Sequence, residues 1–240
     1  MSDSVPTTTP DPAPPTSGIV RRLGPAGALG VAWAALPALG GFALLWRIGD
    51  VSNGLLGLGT ATALTIYIVA FAITSGFGVL PTYAQAFLGG WVFVGAVGAP
   101  GAVVAALGGF AGGSIIGGVI ARLVSQHRVE RVIAEHPAAA AARDALIGRG
   151  FWRSLWIITL LRLPPNSPFA LTNLVLSSSG ARWPEYIVGT IVGMTPRTAI
   201  VVLFAGVAAS DGAQSIGEAV GARPIGLVIG SIITFVVVLV

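Results

Sequence analysis

The feature that most constrains this chain is a stretch from Val51 to Ala121 that contains no Asp, Glu, Lys or Arg. Further apolar runs cover 23–46, 154–161 and 224–240. A transmembrane helix needs about 20 predominantly apolar residues, so several crossings fit into these runs. Charged residues make up 9% of the chain, whereas soluble domains carry roughly 25%. The sequence therefore predicts an all-α polytopic membrane protein.

Composition removes several kinds of chemistry from consideration. The chain has no cysteine, and all 13 of its basic residues are arginine. Thiolate catalysis, disulfides, Cys-bound metals and lysine-based phosphate or Schiff-base sites are therefore excluded. His127 and His136 lack a third ligand at helical spacing, and "SSSG" (177–180) lacks a paired base. We expect no catalytic residue, no metal and no cofactor. Nucleic acid is a poor partner, because the arginines are spread along loops.

Segment order divides the chain into four parts. Residues 1–20 are rich in Pro, Thr and Ser, which is typical of a disordered N-terminal tail. Residues 21–53 are expected to hold the first transmembrane helix, at 23–46, and a loop, because that apolar run is too long for a signal peptide. A main membrane domain should occupy 54–208. A loop and a last transmembrane helix should follow in 209–240.

Glycine and proline subdivide the first half of the main domain. A second span is expected at about 54–75, followed by the breaker cluster "GFGVLPT", which contains Pro81. A short helix over about 83–98 comes next. After "GAPG" (98–101), a long helix should reach Arg122.

Glycines spaced four residues apart mark faces on which helices pack closely. The long helix carries Gly109, Gly113 and Gly117, and Gly189 and Gly193 repeat the spacing later. Small residues let the backbones of two membrane helices approach each other. We assign these five glycines to helix packing. Whether copies of the chain also assemble into a homo-oligomer is left open.

The segment 122–153 has a different character, with six arginines and both histidines. It predicts an amphipathic connector on the membrane surface. Excess arginine marks cytoplasmic loops, so we expect this connector to be cytoplasmic. If 78–98 turns back within the membrane as a re-entrant hairpin, the N-terminus lies outside, which conflicts with the same rule at Arg21 and Arg22. If 78–98 crosses fully, the N-terminus lies inside, so its side is left open.

Residues 151–179 have an awkward length for a membrane segment. Their 29 residues are too many for one crossing and too few for two, which need about 20 and 40. Pro164, Pro165 and Pro168 divide the segment into pieces of about 12 residues, each roughly 18 Å long. Non-helical backbone is tolerated at membrane depth only where protein or a water-filled cavity surrounds it. We therefore predict a re-entrant hairpin at a polar cavity.

Arg162 stands one turn before this break. An arginine at membrane depth costs about 2.5–3.5 kcal/mol on insertion scales, so it should face a partner, and an anion is the most natural one. Asn166 or Ser167 can cap the outgoing half-helix and Pro168 can begin it, which points free N–H groups into the membrane interior. In the alternative interpretation, Arg162 snorkels to the interface or pairs with Glu185.

The stretch from "GRGFWRSLW" (148–156) to "VVLFAG" (201–206) resembles the DedA superfamily, the VTT domain of SNARE-associated Golgi-type membrane proteins, and most of all its Tvp branch. Upstream, "LPT" (80–82) and "ARLV" (121–124) also match, so the resemblance covers roughly 54–208. The matching positions are Gly150, Phe151, Trp152, Arg162, Pro165, Pro168, Asn173, Gly180, Tyr186, Gly189, Thr190, Gly193 and Pro196.

This resemblance implies a fold of two inverted repeats, each made of a re-entrant hairpin and a glycine-striped transmembrane helix. It also implies a multi-pass protein of the bacterial cell membrane that transports or scrambles a phosphate-bearing lipid, either a phospholipid or a polyprenyl phosphate. The partners would then be membrane lipids with anionic headgroups. A non-transporting membrane scaffold that holds partners through its glycine stripes is the alternative. The substrate-binding residues would be Pro81, Thr82, Arg162, Pro165, Ser167, Pro168, Asn173 and Arg197.

Two positions depart from the family pattern. Bacterial relatives proposed to be proton-coupled carry acidic residues around the first hairpin, whereas 51–129 here contains no Asp or Glu. The position after Pro196 is usually small in relatives and is Arg197 here. Whether Arg197 strengthens a phosphate site or only replaces a packing residue is open at this point.

Overall fold

The computed structural model describes residues 37–124, 150–164, 169–178 and 181–210 together with residue 218. This described part is all-helical. The expectations for the tail 1–20, for most of the connector and of 209–240, and for Pro165, Ser167 and Pro168 lie outside it. Seven helices are found within the described residues: α1 (Pro37–Trp46), α2 (Ile48–Leu56), α3 (Thr60–Gly76), α4 (Thr82–Val124), α5 (Phe151–Arg162), α6 (Phe169–Ser178) and α7 (Trp183–Ala209).

Two helices in this part of the chain are long and apolar enough to cross a membrane. They are Thr82–Leu123, with a mean hydropathy of 1.9, and Trp183–Ala209, with a mean hydropathy of 1.8. At 1.5 Å per residue, α7 is roughly 40 Å long. The predicted all-helical fold is thus confirmed for the described residues, and the two long apolar helices are consistent with a helical membrane protein.

The chain reverses direction at Gly98 within α4, since the part before Gly98 runs antiparallel to α3 and the part after it runs parallel to α3. The backbone there has φ 73° and ψ 165°, a conformation that is essentially restricted to glycine. Pro100 follows, and it has no N–H to continue the hydrogen-bond ladder. This is the break predicted at "GAPG". We call the two parts α4a (82–97) and α4b (99–124).

The predicted first span, 23–46, ends at Trp46 as expected, and its part before residue 37 lies outside the described residues. Two boundaries after it differ from the prediction. Residues 48–53, which were expected to form a loop, belong to α2, and Ile48 is fully buried. The second span begins at Thr60 instead of about Gly54. Gly59 precedes it with φ 83°, so the chain turns there before α3 can start.

Helices α3 and α4a form a hairpin. The ring of Tyr67 lies 5.3 Å from that of Phe93, and the hydroxyl of Thr74 lies 2.6 Å from Oε1 of Gln85. Later positions in α3 thus meet earlier positions in α4a, so the two helices run antiparallel. The turn between them occupies 77–81.

The glycine-bearing face of α4b packs on α3, and the two helices run in the same direction. A Cβ built on Gly109 would lie 2.5 Å from Cγ of Phe71, and one built on Gly113 would lie 2.1 Å from Oγ of Ser75. Only glycine permits such a close approach. In a membrane, helices associate mainly through such close packing contacts, because the surrounding lipid tails provide no hydrophobic drive for association.

In the second half of the domain, the glycine-bearing face of α7 packs on α5. A Cβ on Gly189 would lie 2.8 Å from Cγ2 of Ile158, and one on Gly193 would lie 2.6 Å from Cβ of Arg162. The helix before the break again runs parallel to the long glycine-bearing helix. Gly193 is about 15 Å from the start of α7, so α5 ends near the middle of that helix.

The two halves meet along α4b and α7, which run antiparallel. The hydroxyl of Tyr186 lies 3.1 Å from the backbone oxygen of Ser114, and Arg122 donates to the backbone oxygen of Ala181 at 2.8 Å. Arg122 also stacks on Trp183, 4.1 Å from the ring centroid. These contacts join the last turns of α4b to the first turns of α7.

Candidate functional site

Arg162 is buried at the end of α5, with 3% of its surface exposed. Its Nη1 donates to Oγ1 of Thr172 at 3.0 Å, and its Nη2 donates to Oδ1 of Asn173 at 2.5 Å. The guanidinium also stacks on Phe169, 4.7 Å from the ring centroid. All three partners belong to α6, so the side chain of Arg162 bridges the two helices of the second hairpin.

Tyr186 of α7 completes the network around the guanidinium. Its hydroxyl lies 2.9 Å from Oδ1 of Asn173, and its ring lies 5.8 Å from the guanidinium carbon of Arg162. Asn173 in turn donates from Nδ2 to the backbone oxygen of Gly113 at 3.4 Å. The network therefore includes groups from α4b, α5, α6 and α7.

The partners of Arg162 are neutral. The two ion pairs found within the described residues are Arg47–Asp50 and Arg182–Glu185. The interpretation that Arg162 snorkels to the interface or pairs with Glu185 is therefore wrong, since Arg162 is buried and Glu185 pairs with Arg182. The Nε of Arg162 has no hydrogen-bond partner in the part of the chain that the structure describes. Among the described residues, no carboxylate therefore balances the positive charge of Arg162.

Arg197 lies near the middle of α7 and contacts the start of α4a. Its Nη1 donates to the hydroxyl of Tyr83 at 3.3 Å, and its guanidinium lies 5.1 Å from the centroid of that ring. Its Nη2 lies 2.6 Å from Sδ of Met194. Arg197 follows Gly193, which packs directly on Arg162, by one turn of α7.

The turn of the first hairpin approaches the start of α6. A Cβ on Gly78, in the turn of the first hairpin, would lie 3.0 Å from Cβ of Ala170, which is the second residue of α6. Gly78 has φ 68°, so its position also requires glycine. The structure thus brings Arg162, Arg197, the turn of the first hairpin and the start of α6 into one region.

Other residues predicted to bind substrate are placed differently. Pro81 packs against α1, where a Cβ on Gly41 would lie 2.6 Å from Cγ of Pro81. Thr82 is partly buried at the first position of α4. Pro165, Ser167 and Pro168 belong to the stretch 165–168, which is outside the described residues.

A separate cleft of about 450 Å³ opens at the other end of α7. It lies between α2, the end of α4a and the last turn of α7, and Trp91, Ser52 and Ser210 contribute to its wall. Arg162 and Arg197 do not line it. Within the described ranges, no group of three or more His, Cys, Asp or Glu side chains could hold a metal ion.

Comparison with known proteins identifies the domain. The sequence matches the VTT domain over residues 65–207, which is more than half of the chain. The chain belongs to the VTT-domain (DedA) superfamily. No curated protein and no solved structure matches it. The VTT domain makes this a membrane protein, in keeping with a lipid-related function.

Sequence reasoning missed several members of the network in this VTT domain. Thr172, Phe169 and Tyr83 were not singled out, although each contacts one of the two arginines. Thr172 and Asn173 form a polar pair in an otherwise apolar half-helix, which is a signal that could have identified Thr172. The contact of Tyr83 with Arg197 spans 114 residues and has no local signal.

Proposed function

We propose that this protein moves a lipid with an anionic phosphate headgroup across the cell membrane, and that the headgroup passes Arg162 between the two hairpins. The observation that carries the proposal is the buried guanidinium of Arg162, which is held by neutral oxygens and has no carboxylate partner in the described residues. A lipid phosphate would supply the missing negative charge.

The depth of the second hairpin supports a re-entrant path. Arg162 ends α5 beside Gly193, about 15 Å along a helix that is roughly 40 Å long. From there α6 runs back along α4b, because Phe169 packs on Phe110 and Ser177 lies near Gly118. The hairpin would therefore enter the membrane, turn near its middle and leave on the same side.

The direction of the first hairpin supports an inverted repeat. Helix α4a runs parallel to the second half of α7, since Tyr83 meets Arg197 and Val94 packs on Gly206. The first hairpin would thus enter from the face where α7 ends, and the second from the face where α7 begins. Two half-length hairpins would then meet in the interior with both arginines between them.

Arg162 is suited to hold a phosphate only transiently. A guanidinium offers five N–H donors in a planar fork that matches phosphate oxygens. Thr172 and Asn173 occupy donors on Nη1 and Nη2, whereas Nε is without a described partner. Because protein groups already occupy some of its N–H donors, the guanidinium binds a phosphate weakly enough to release it again. Transport requires such release.

The scaffold alternative depended on glycine stripes that face other proteins. The structure instead places Gly109 and Gly113 against α3, Gly117 against Asn173, and Gly189 and Gly193 against α5. These glycines join helices of the same chain. They therefore do not provide a surface for a separate partner, and the transport proposal is favoured.

Reconstitution in liposomes tests the proposal. The protein is inserted into vesicles that contain a trace of fluorescent phosphatidylglycerol, and dithionite added outside quenches only the outer-leaflet label. Wild-type protein should make the inner-leaflet label accessible to quenching. Arg162→Ala should abolish this effect, and Arg162→Lys should restore it in part, because lysine keeps the charge but loses the planar fork.

Arg47→Ala is the matched control, since it removes the same charge from an exposed side chain that pairs with Asp50. It should move lipid at the wild-type rate. Equal lipid movement by wild type and Arg162→Ala would contradict the proposed role of Arg162. No movement by folded, inserted wild-type protein would contradict transport itself.

A further inference from the structure

Asn173 lies at the centre of the network that surrounds Arg162, and 1% of its surface is exposed. Its Oδ1 accepts from Nη2 of Arg162 at 2.5 Å and lies 2.9 Å from the hydroxyl of Tyr186. Its Nδ2 donates to the backbone oxygen of Gly113 at 3.4 Å. Both polar atoms of this amide are therefore engaged by groups of the protein itself.

An amide at this position has a specific electrostatic consequence. Oδ1 is the acceptor closest to the guanidinium of Arg162, which is where a carboxylate would form a buried ion pair. A carboxylate would accept the same hydrogen bonds, but it would cancel the positive charge. It would also lose the donor that reaches Gly113. The amide therefore orients the guanidinium and leaves its charge in place.

We propose that Asn173 is a neutral positioning residue, which holds Arg162 and ties the second hairpin to α4b while it keeps the positive charge available to an anionic phosphate headgroup. This inference rests on the proposed phosphate-binding role of Arg162. It replaces the direct contact with substrate that the family resemblance implied for Asn173.

Asn173→Asp is the decisive variant. The side chain keeps its size and its acceptor oxygen, and the new carboxylate gives the buried Arg162 a counter-charge. The thermal midpoint of the ligand-free protein should be equal to that of wild type or higher, because an uncompensated buried charge becomes paired. Phosphate binding should nevertheless be weakened, because the incoming anion meets a carboxylate.

Tyr186→Phe is the companion variant, and it disturbs the same network without a change of charge. It removes the hydroxyl that lies 2.9 Å from Oδ1 of Asn173 and 3.1 Å from the backbone oxygen of Ser114, and that donates to one of these two acceptors at a time. Its thermal midpoint should fall, whereas binding of the anion should be retained. A merely structural role of the network predicts the opposite order, with Asn173→Asp tolerated and Tyr186→Phe impaired.

The measurement is the thermal shift of the purified full-length protein in detergent, with dihexanoyl phosphatidic acid as the probe. Wild type and Tyr186→Phe should be stabilised by the probe. For Asn173→Asp, the same thermal shift should need at least about a tenfold higher probe concentration. A like charge beside the bound phosphate costs more free energy than a tenfold loss of affinity represents. Arg162→Ala should not respond.

A response of Asn173→Asp at the wild-type probe concentration would overturn the inference, as would loss of the response in folded Tyr186→Phe. No response by wild type would also overturn it. If wild type binds the probe but moves no lipid in liposomes, transport fails as the function while the role of Asn173 stands.

Discussion

Gly193 of α7 lies directly against Arg162 of α5, and a Cβ added to Gly193 would stand 2.6 Å from Cβ of Arg162 and 2.7 Å from the backbone oxygen of Thr159. Gly193→Ala must therefore push α5 away from α7. We expect a loss of about 1–3 kcal/mol in stability from this overpacking. Lipid movement should fall as well, because Arg162 is displaced with α5. Thermal unfolding in detergent and the liposome assay measure the two effects.

Gly54→Ala is the control for that substitution. Gly54 is in α2, and nothing lies within 4 Å of the position that its Cβ would take. Alanine favours helix over glycine by about 1 kcal/mol, so this variant should be as stable as wild type or more stable. Similar destabilisation by Gly193→Ala and Gly54→Ala would mean that the close contact at Gly193 does not contribute to stability.

The ion pair Arg182–Glu185 should contribute more to stability than the ion pair Arg47–Asp50, although each pair joins two residues that are three positions apart in the chain. The arginine side chains are similarly exposed, at 66% and 68%, whereas Glu185 is 1% exposed and Asp50 is 71% exposed. Arg182→Ala leaves a buried carboxylate without its partner, which should cost roughly 1–3 kcal/mol. Arg47→Ala should cost about 0–1 kcal/mol. Equal shifts of the thermal midpoint would show that burial of Glu185 does not matter here.

Single cysteines can test the re-entrant path directly, because the natural chain has none. Gly150 precedes α5, Arg182 precedes α7, and Ser210 follows α7. Cysteines at 150 and 182 should react with an impermeant maleimide from the same side, and a cysteine at 210 should react from the other side. The positive-inside rule predicts that the shared side is cytoplasmic. Labelling of 150 and 182 from opposite sides would mean that α5 and α6 cross the membrane completely.

The contact between Arg197 and Tyr83 should couple α7 to the first hairpin. Tyr83→Phe keeps the ring under the guanidinium and removes only the hydroxyl that accepts from Nη1 at 3.3 Å. A double-mutant cycle with Arg197→Ala should therefore give a coupling energy of roughly 1 kcal/mol. Thr65→Ala is the control, because the hydroxyl of Thr65 donates to Ala61 within its own helix. Equal coupling energies in the cycle with Tyr83→Phe and the cycle with Thr65→Ala would contradict a specific contact between Arg197 and Tyr83.

Local features of the sequence predicted the helices of the membrane domain well. The break at "GAPG" corresponds to the bend at Gly98, and α5 ends at Arg162 and α6 begins at Phe169 as the proline cluster indicated. Glycine and proline act on the backbone of their own turn, so their effect needs no tertiary context. The loop expected at 48–53 was wrong, because its one charged residue, Asp50, lies on an exposed face of a helix whose other face is buried.

By itself, the sequence determined that this chain is a helical membrane protein, where its helices break and which arginine lies beside a break. Apolar length, helix breakers and charge are properties of short segments. Only the tertiary structure decided that Arg162 is held by Thr172 and Asn173, that Arg197 meets Tyr83, and that the glycines face helices of the same chain. Those partners depend on how far each hairpin extends along α4b and α7 before it turns. That depth results from the packing of whole helices, and no short segment of sequence encodes it.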